Sequence, residues 1–274
     1  MIKNNIYLLV IFGFFTQCSA IDMIKKPCLY LGLCAEFWDL DKPVASDAEY
    51  KFFRKYLVQS SGPILEPMCG TGRYFVPFLE EGFKIEGFDS SSFMLNALRT
   101  KCTKKNLSFC VWEQCLEETP IEEKYDLIFI PDTSFCIFLD DAHIKKCLQN
   151  LYARLLPGGT FVFDVQTIYS RAEQPGVWSG RAYKKSDDSV LIESTLPLPV
   201  KDSILTLIMR YELMKGSEIL KTEMEYYPIK LYKKGEMDKF LKEVGFKHIK
   251  KVKAHVYGSR PSSEDDMIVY ECKK

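Results

Sequence analysis

Residues 66–75 read EPMCGTGRYF, between the apolar run Pro63-Ile64-Leu65 and a helix-like stretch. Gly70 and Gly72 stand where a strand should hand over to a helix. A bare backbone at that point serves a tight turn or the close approach of a ligand. The dinucleotide fingerprint G-x-G-x-x-G would want glycine at 75 and meets Phe75 instead, which sets back a nicotinamide oxidoreductase. The flanking elements have to decide.

Upstream, Ser46-Asp47-Ala48-Glu49 is a capping box, and the helix it opens puts Phe53, Tyr56 and Leu57 on one face. PILEP is then a short buried strand and RYFVPFLEE a helix stopped by Gly82. Lys84 to Phe88 is a second strand ending at Asp89, and SSSFMLNALRTKC is a serine-capped helix. Leu107 to Trp112 and YDLIFI read as the third and fourth strands, and YDLIFI is apolar enough to be buried on both faces. A helix from about Asp141 to Leu156 leads through Pro157-Gly158-Gly159 into TFVFDV, the fifth strand. Strand and helix thus alternate at crossover spacing. The expected fold is α/β, a doubly wound, mostly parallel, seven-stranded Rossmann-like sheet with ligands at the carboxyl ends of its strands.

After Gln166 the period changes. From Leu205 to Leu213 the odd positions (Leu205, Leu207, Met209, Tyr211, Leu213) are apolar, a period of two. Lys215-Gly216-Ser217 turns, and Leu220, Thr222, Met224 and Tyr226 continue until Pro228 breaks the alternation, which resumes out of phase at Ile229 and Leu231. This predicts an antiparallel sheet over 181–232, inserted before the helix KGEMDKFLKEVGF and two closing strands near 247–253 and 267–272. The organisation expected is one domain over 23–274. It comprises a cofactor-binding core at 46–166, the inserted sheet at 181–232 and a C-terminal helix with strands at 234–274.

ILEPMCGTGRYFVPFLEEGFKIEGFDSSSFM resembles the cofactor loop of class I S-adenosylmethionine-dependent methyltransferases, and YDLIFIPDTSF and LLPGGTFVFDV are similar to that family's fourth and fifth strands. The likeness covers roughly residues 35–165 and resumes in KLYKKGEMDKFLKEVGFKHIKKV. It implies that Glu66 meets the methionyl amino group and that Cys69, Gly70 and Gly72 form the tight cofactor loop. Asp89 would then accept from the ribose hydroxyls, Gln114 or a backbone group near Cys115 would meet the adenine, and Pro131-Asp132 would border the sulfonium. Met68 departs from the pattern, standing where the family commonly has glycine. Asp89 read alone is also a helix-capping acid before Ser90-Ser91.

Methyl transfer needs mainly a nucleophile held in line behind the methyl group, and positioning of that kind supplies about 7–11 kcal/mol of a barrier. For an amine or hydroxyl acceptor a base should take a proton, and Asp132, Tyr169 and His255 are the candidates. Asp132 has a turn-capping alternative and His255 that of a strand histidine. His143, in DDAHIKK, reads as a solvated helix face.

The composition, 47% hydrophobic and 27% charged in 274 residues, is that of a globular protein, with 37 basic and 37 acidic residues in balance. That balance gives no electrostatic reason to expect nucleic acid as a partner. The ten cysteines show no C-x-x-C spacing, and with the three histidines they complete no zinc pattern. No metal is expected, and scattered thiols suggest a reduced, cytoplasmic setting. Residues 1–22 stand apart. Ile6 to Phe15 and Cys18-Ser19-Ala20 suit a signal peptide, translation starting at Met23 is the other reading, and an interfacial anchor is the third. The stretch is too short for a stable membrane span.

The leading expectation is a methyltransferase acting on a small-molecule N or O acceptor, with S-adenosylmethionine as cofactor. The inserted sheet would cover the acceptor pocket, with Tyr169, Trp178 and Tyr183 on the approach, or form a homodimer surface. A non-catalytic binder of the same cofactor and an RNA or protein methyltransferase are the alternatives.

Overall fold

The computed structural model describes residues 29–118, 124–170 and 174–274, so the segment 1–22 lies outside the described residues. The first helix, α1 (Gly32–Asp41), belongs to a stretch for which the sequence reading offered no element. The capping box is formed as expected at the start of α2 (Asp47–Gln59), with Glu49 Oε2 accepting from Ser46 N at 2.8 Å and Ser46 Oγ from Glu49 N at 3.4 Å. The buried face of α2 carries Phe52 beside the expected Phe53, Tyr56 and Leu57.

The alternation then runs β1 (Ile64–Pro67), α3 (Phe75–Glu80), β2 (Ile85–Asp89), α4 (Ser92–Lys104), β3 (Cys110–Glu113), β4 (Tyr125–Ile130), α5 (Asp141–Arg154) and β5 (Leu155–Gln166). After the insertion come α6 (Glu236–Val244), β10 (His248–Lys253) and β11 (Met267–Lys273). The main sheet has the order β10-β11-β5-β4-β1-β2-β3; β1 to β5 are mutually parallel, while β11 runs against both β5 and β10. Each face of the sheet is covered. Phe53, Phe78, Leu98 and Phe129 pack on one side, and Leu151, Phe161, Phe163 and Phe240 on the other.

Two boundaries shift for local reasons. The third strand starts at Cys110 rather than Leu107, because Leu107 N donates to Cys102 O at 3.0 Å and Asn106 turns left-handed (φ 53°), closing the end of α4. The fifth starts earlier, at Leu155, and takes in Pro157-Gly158-Gly159, with Gly158 left-handed at φ 78°. A Cβ on Gly159 would meet Leu156 O at 2.9 Å and Tyr125 O at 3.1 Å, so only glycine lets β4 and β5 approach there.

The insertion is a four-stranded antiparallel sheet in the order β6 (Ser179–Lys184), β7 (Val190–Pro197), β8 (Ile204–Lys215), β9 (Glu218–Lys230). Pro228 does not end β9 but sits opposite Thr206, tolerated because β9 is an edge strand. A larger correction concerns phase. Met214 pairs with Ile219 but Leu213 pairs with Lys221, so one extra residue, Leu220, enters β9 as a bulge. Everything beyond it changes face. Tyr211, Met209 and Leu207 therefore lie opposite Glu223, Glu225 and Tyr227, while Met224 and Tyr226 point outward at 51% and 56% exposure.

The inner face of that sheet closes over α1, with Leu33, Phe37, Leu191 and Tyr211 in one cluster. Its two acids meet the free N–H groups at the helix start. Leu31 N donates to Glu225 Oε1 at 2.9 Å and Leu33 N to Glu223 Oε2 at 2.7 Å. The insertion thereby presses α1 onto the carboxyl ends of the parallel strands.

Candidate active site

The carboxyl ends of β1, β2 and β4 open into one cleft, roofed by α1 and β9. β1 delivers Glu66, buried at 2% exposure, and its Oε2 has no partner in the protein. Burial, then the nearby Asp89, push the Glu66 carboxyl well above its ordinary range. An acid kept dry and unpartnered is costly, and a cationic ligand group is what relieves it.

The loop after β1 splits the two glycines into different tasks. Gly70 (φ 52°) lines the cleft, and a Cβ there would meet nothing within 4 Å. Gly72 (φ 85°) does not line it; a Cβ there would meet Val76 Cγ2 at 2.9 Å and Leu98 Cγ at 3.0 Å. The expectation of ligand approach thus fits Gly70, whereas Gly72 is bare so that the loop can seat on α3 and α4. Met68, left-handed at φ 58°, occupies a conformation suited to the glycine it replaces and also borders the cleft. Cys69 is buried beside it with its thiol pushed well up, by burial first and then by Asp89 and Glu66. That state suits a packed small residue, not a nucleophile.

Asp89, ending β2, braces this loop. Its Oδ2 accepts from Gly70 N at 2.9 Å and its Oδ1 from Ser91 N at 2.8 Å. The capping role and the loop role coexist in one carboxylate, which still borders the cleft with lone pairs to spare. Burial raises its pKa against these backbone donors. Gln114 N donates to Asp89 O at 3.0 Å, but its side-chain Oε1 takes Trp112 Nε1–H at 2.6 Å and does not line the cleft.

At the end of β4, Pro131 and Asp132 form the far wall, with Asp132 and Thr133 both left-handed at φ 63° and 54°. Asp164 of β5 pins this turn. It is fully buried, its Oδ1 accepts from Thr133 N at 2.5 Å, and its Oδ2 is unpartnered. Burial raises Asp164 to about 7, and the neighbouring Asp132 adds to the rise. The sequence reading passed over it, though an acid inside TFVFDV was the available signal. Arg73 joins Asp132 at 2.9 Å and Glu49 at 2.6 Å, tying the wall to α2. Tyr74, Trp38, Tyr30 and Tyr227 supply aromatic surface; Tyr30 Oη–H donates to Tyr227 Oη at 2.9 Å.

Of the three proposed bases only Asp132 borders this cleft. His255 (φ 55°) lies behind it, its ring edge-on to Phe52, and burial lowers its pKa against the pull of Glu49 and Asp132. Tyr169 lines a separate cleft of about 670 Å³ with Thr167, Tyr232 and Arg260. That cleft is larger than the roughly 120 Å³ enclosed beside Glu66, yet the converging acids lie in the smaller one. Tyr183 is spent on Asp41 and Phe37, and Trp178 lies exposed over Arg210 on the outer face of the insertion. The aromatics expected on the approach are thus replaced by Tyr30, Trp38 and Tyr227.

The donor set fits S-adenosylmethionine: a buried unpaired acid for its ammonium, an open glycine at the loop and carboxylates flanking a cationic centre. Residues 64–159 match the family described as a methyltransferase domain. A methyltransferase-named protein of Geobacillus sp. (strain WCH70) is 24% identical over 229 residues, 82% of this chain and 89% of that one. Among solved structures, an S-adenosylmethionine-dependent methyltransferase from Clostridium acetobutylicum ATCC 824 superposes with a TM-score of 0.71 at 21% identity, covering 87% of this chain and 96% of that one. The sugar N-methyltransferase KedS8 from Streptoalloteichus sp. ATCC 53650 gives 0.70 at 14% identity, covering 88% and 93%. The fold is the Rossmann-like methyltransferase fold with an antiparallel insertion.

Proposed function

We propose that this protein transfers a methyl group from S-adenosylmethionine to a nitrogen or oxygen of a small molecule. The carrying observation is the buried, unpartnered Glu66 facing the same cleft as Gly70, Asp89 and Asp132. When bound, the sulfonium supplies an electrophilic methyl group. The chain's own part is to hold, orient and exclude water. Glu66 takes the ammonium, Asp89 fixes the loop and offers its remaining lone pairs to hydroxyls, and Asp132 borders the cationic centre. Arg73 keeps Asp132 aimed, and the acceptor's proton is released to Asp132 or to solvent at the cleft mouth.

The small-acceptor reading is supported by the roof. Tyr227 and Trp38 border the cleft and crowd it with aromatic surface, and the neutral net charge gives a nucleic-acid polymer no overall electrostatic pull. Likeness to a sugar N-methyltransferase points the same way. A cytoplasmic site of action belongs to this reading and rests on the scattered cysteines of the sequence, which show no C-x-x-C spacing. Pairing of two subunits through the insertion belongs to this reading as its alternative use of the sheet. The test is incubation of the chain from Met23 with methyl-labelled S-adenosylmethionine and fractionated cell extract. Label in metabolites supports the proposal; label confined to RNA or protein, or no transfer, overturns it.

A further inference from the structure

Away from the cleft, α5 carries His143 and Cys147 one turn apart and hence on one face. Glu117, from the segment after β3, reaches the same spot, with its Oε1 3.3 Å from His143 Nε2. The carboxylate oxygen, imidazole nitrogen and thiol sulfur all lie within 4.8 Å of one another. Cys147 is fully buried, while His143 and Glu117 keep partial access to solvent. We propose that Glu117, His143 and Cys147 bind a zinc-class divalent cation, with water as the fourth ligand on the exposed side.

The donor chemistry suits such an ion. Thiolate, imidazole and carboxylate are its three protein ligand types, at bond lengths of about 2.0–2.3 Å. Tetrahedral bonds of that length put donor atoms roughly 3–4 Å apart, so a small contraction of the cluster suffices. The ring's other nitrogen faces Asp140 Oδ2 at 3.8 Å, and Asp140 also caps the helix through His143 N, which fixes the side from which the imidazole is presented. On binding, Cys147 gives its thiol proton to solvent, so affinity rises with pH. The ion would fasten the segment after β3 to α5. Residue spacing alone hides the cluster, because Glu117 is 26 positions before His143. This site is independent of the methyl-transfer reading.

The test is a titration of the full chain, reduced and stripped with chelator, first with Co²⁺ and then with Zn²⁺. One equivalent of Co²⁺ should give a thiolate-to-cobalt charge-transfer band with intense tetrahedral visible bands, and Zn²⁺ should displace it. Cys147→Ser should abolish the charge-transfer band, while Cys115→Ser should keep it. Loss of an outer partner usually costs about 10–100-fold in affinity, so His143→Ala and Glu117→Gln, at half-exposed positions that leave the core intact, should each exceed that range. Failure to bind one equivalent, or equal binding by His143→Ala and Glu117→Gln, overturns the proposal. So does a charge-transfer band that survives in folded Cys147→Ser.

Discussion

The parallel core and the inserted sheet handle acids in opposite ways. In the core, Glu66 and Asp164 are buried with an oxygen left unpartnered, beside an opening where a ligand can reach Glu66. In the insertion, Glu223 and Glu225 are consumed by backbone N–H groups of the α1 start. The first arrangement keeps binding capacity in reserve at a cost to stability; the second spends charge on holding a roof in place. The comparison teaches that the cleft is built from a strained half and a satisfied half.

The largest effect expected lies in the strained half. Gly72→Val places a branched side chain at φ 85° against Val76 and Leu98, and left-handed strain plus overpacking should cost about 3–5 kcal/mol. Gly70→Ala, with open space around its Cβ, should cost about 1–2 kcal/mol in stability yet strongly weaken cofactor binding. Denaturant unfolding and calorimetric titration of both variants would separate the roles; equal stability losses would erase the distinction.

In the satisfied half, Glu225→Ala should lose about 1.5–3 kcal/mol by freeing Leu31 N from a charged acceptor. Thermal melts can read this, and an unchanged midpoint would mean that the sheet does not cap α1.

Glu66→Gln sharpens the contrast through pH. In the native state the carboxyl keeps its proton above the usual range near 4.3, whereas the unfolded chain loses it there. Between those values the unfolded state binds fewer protons, so this group's contribution makes stability fall as pH rises. Cofactor affinity should move the other way, rising as Glu66 ionises toward the ligand's ammonium. The glutamine variant should bind more weakly at pH 8, unfold later there, and show a flatter pH dependence of both.

The smallest effect is expected on the outer face of the insertion. Met224→Thr should change stability by no more than about 0.5 kcal/mol, since the side chain points to solvent. A loss of about 2 kcal/mol or more would show it packed inward, as the sequence pattern implied.

How the sequence could be read differs between the same two regions. In the core, local signals agree: Ser46 and Glu49 announce a helix, YDLIFI a doubly buried strand, and the C-G-T-G turn a ligand loop. Glu66, Gly70, Asp89, Pro131 and Asp132 meet in one cleft because parallel strands bring all their carboxyl ends to one edge. In the insertion a single bulge at Leu220 reverses the phase of β9, and no residue type there advertises it. Helix α1 was missed because its stability comes from Glu223 and Glu225, about 190 residues away in sequence. The base candidates fared by position: Asp132 sits at a strand end of the site, while Tyr169 and His255 lie on loops whose course only tertiary packing sets.

The central claim, that the carboxylate-lined cleft is the cofactor site, is tested most directly by calorimetric titration of S-adenosylmethionine into the protein and its Asp89→Ala variant. Asp89 holds Gly70 N and Ser91 N and borders the cleft, so its loss should weaken binding at least about tenfold, corresponding to one bond to a charged group. Saturable binding by the native chain with that loss in the variant is the predicted result. Equal affinity in the two proteins, or no binding by the native chain, would contradict it.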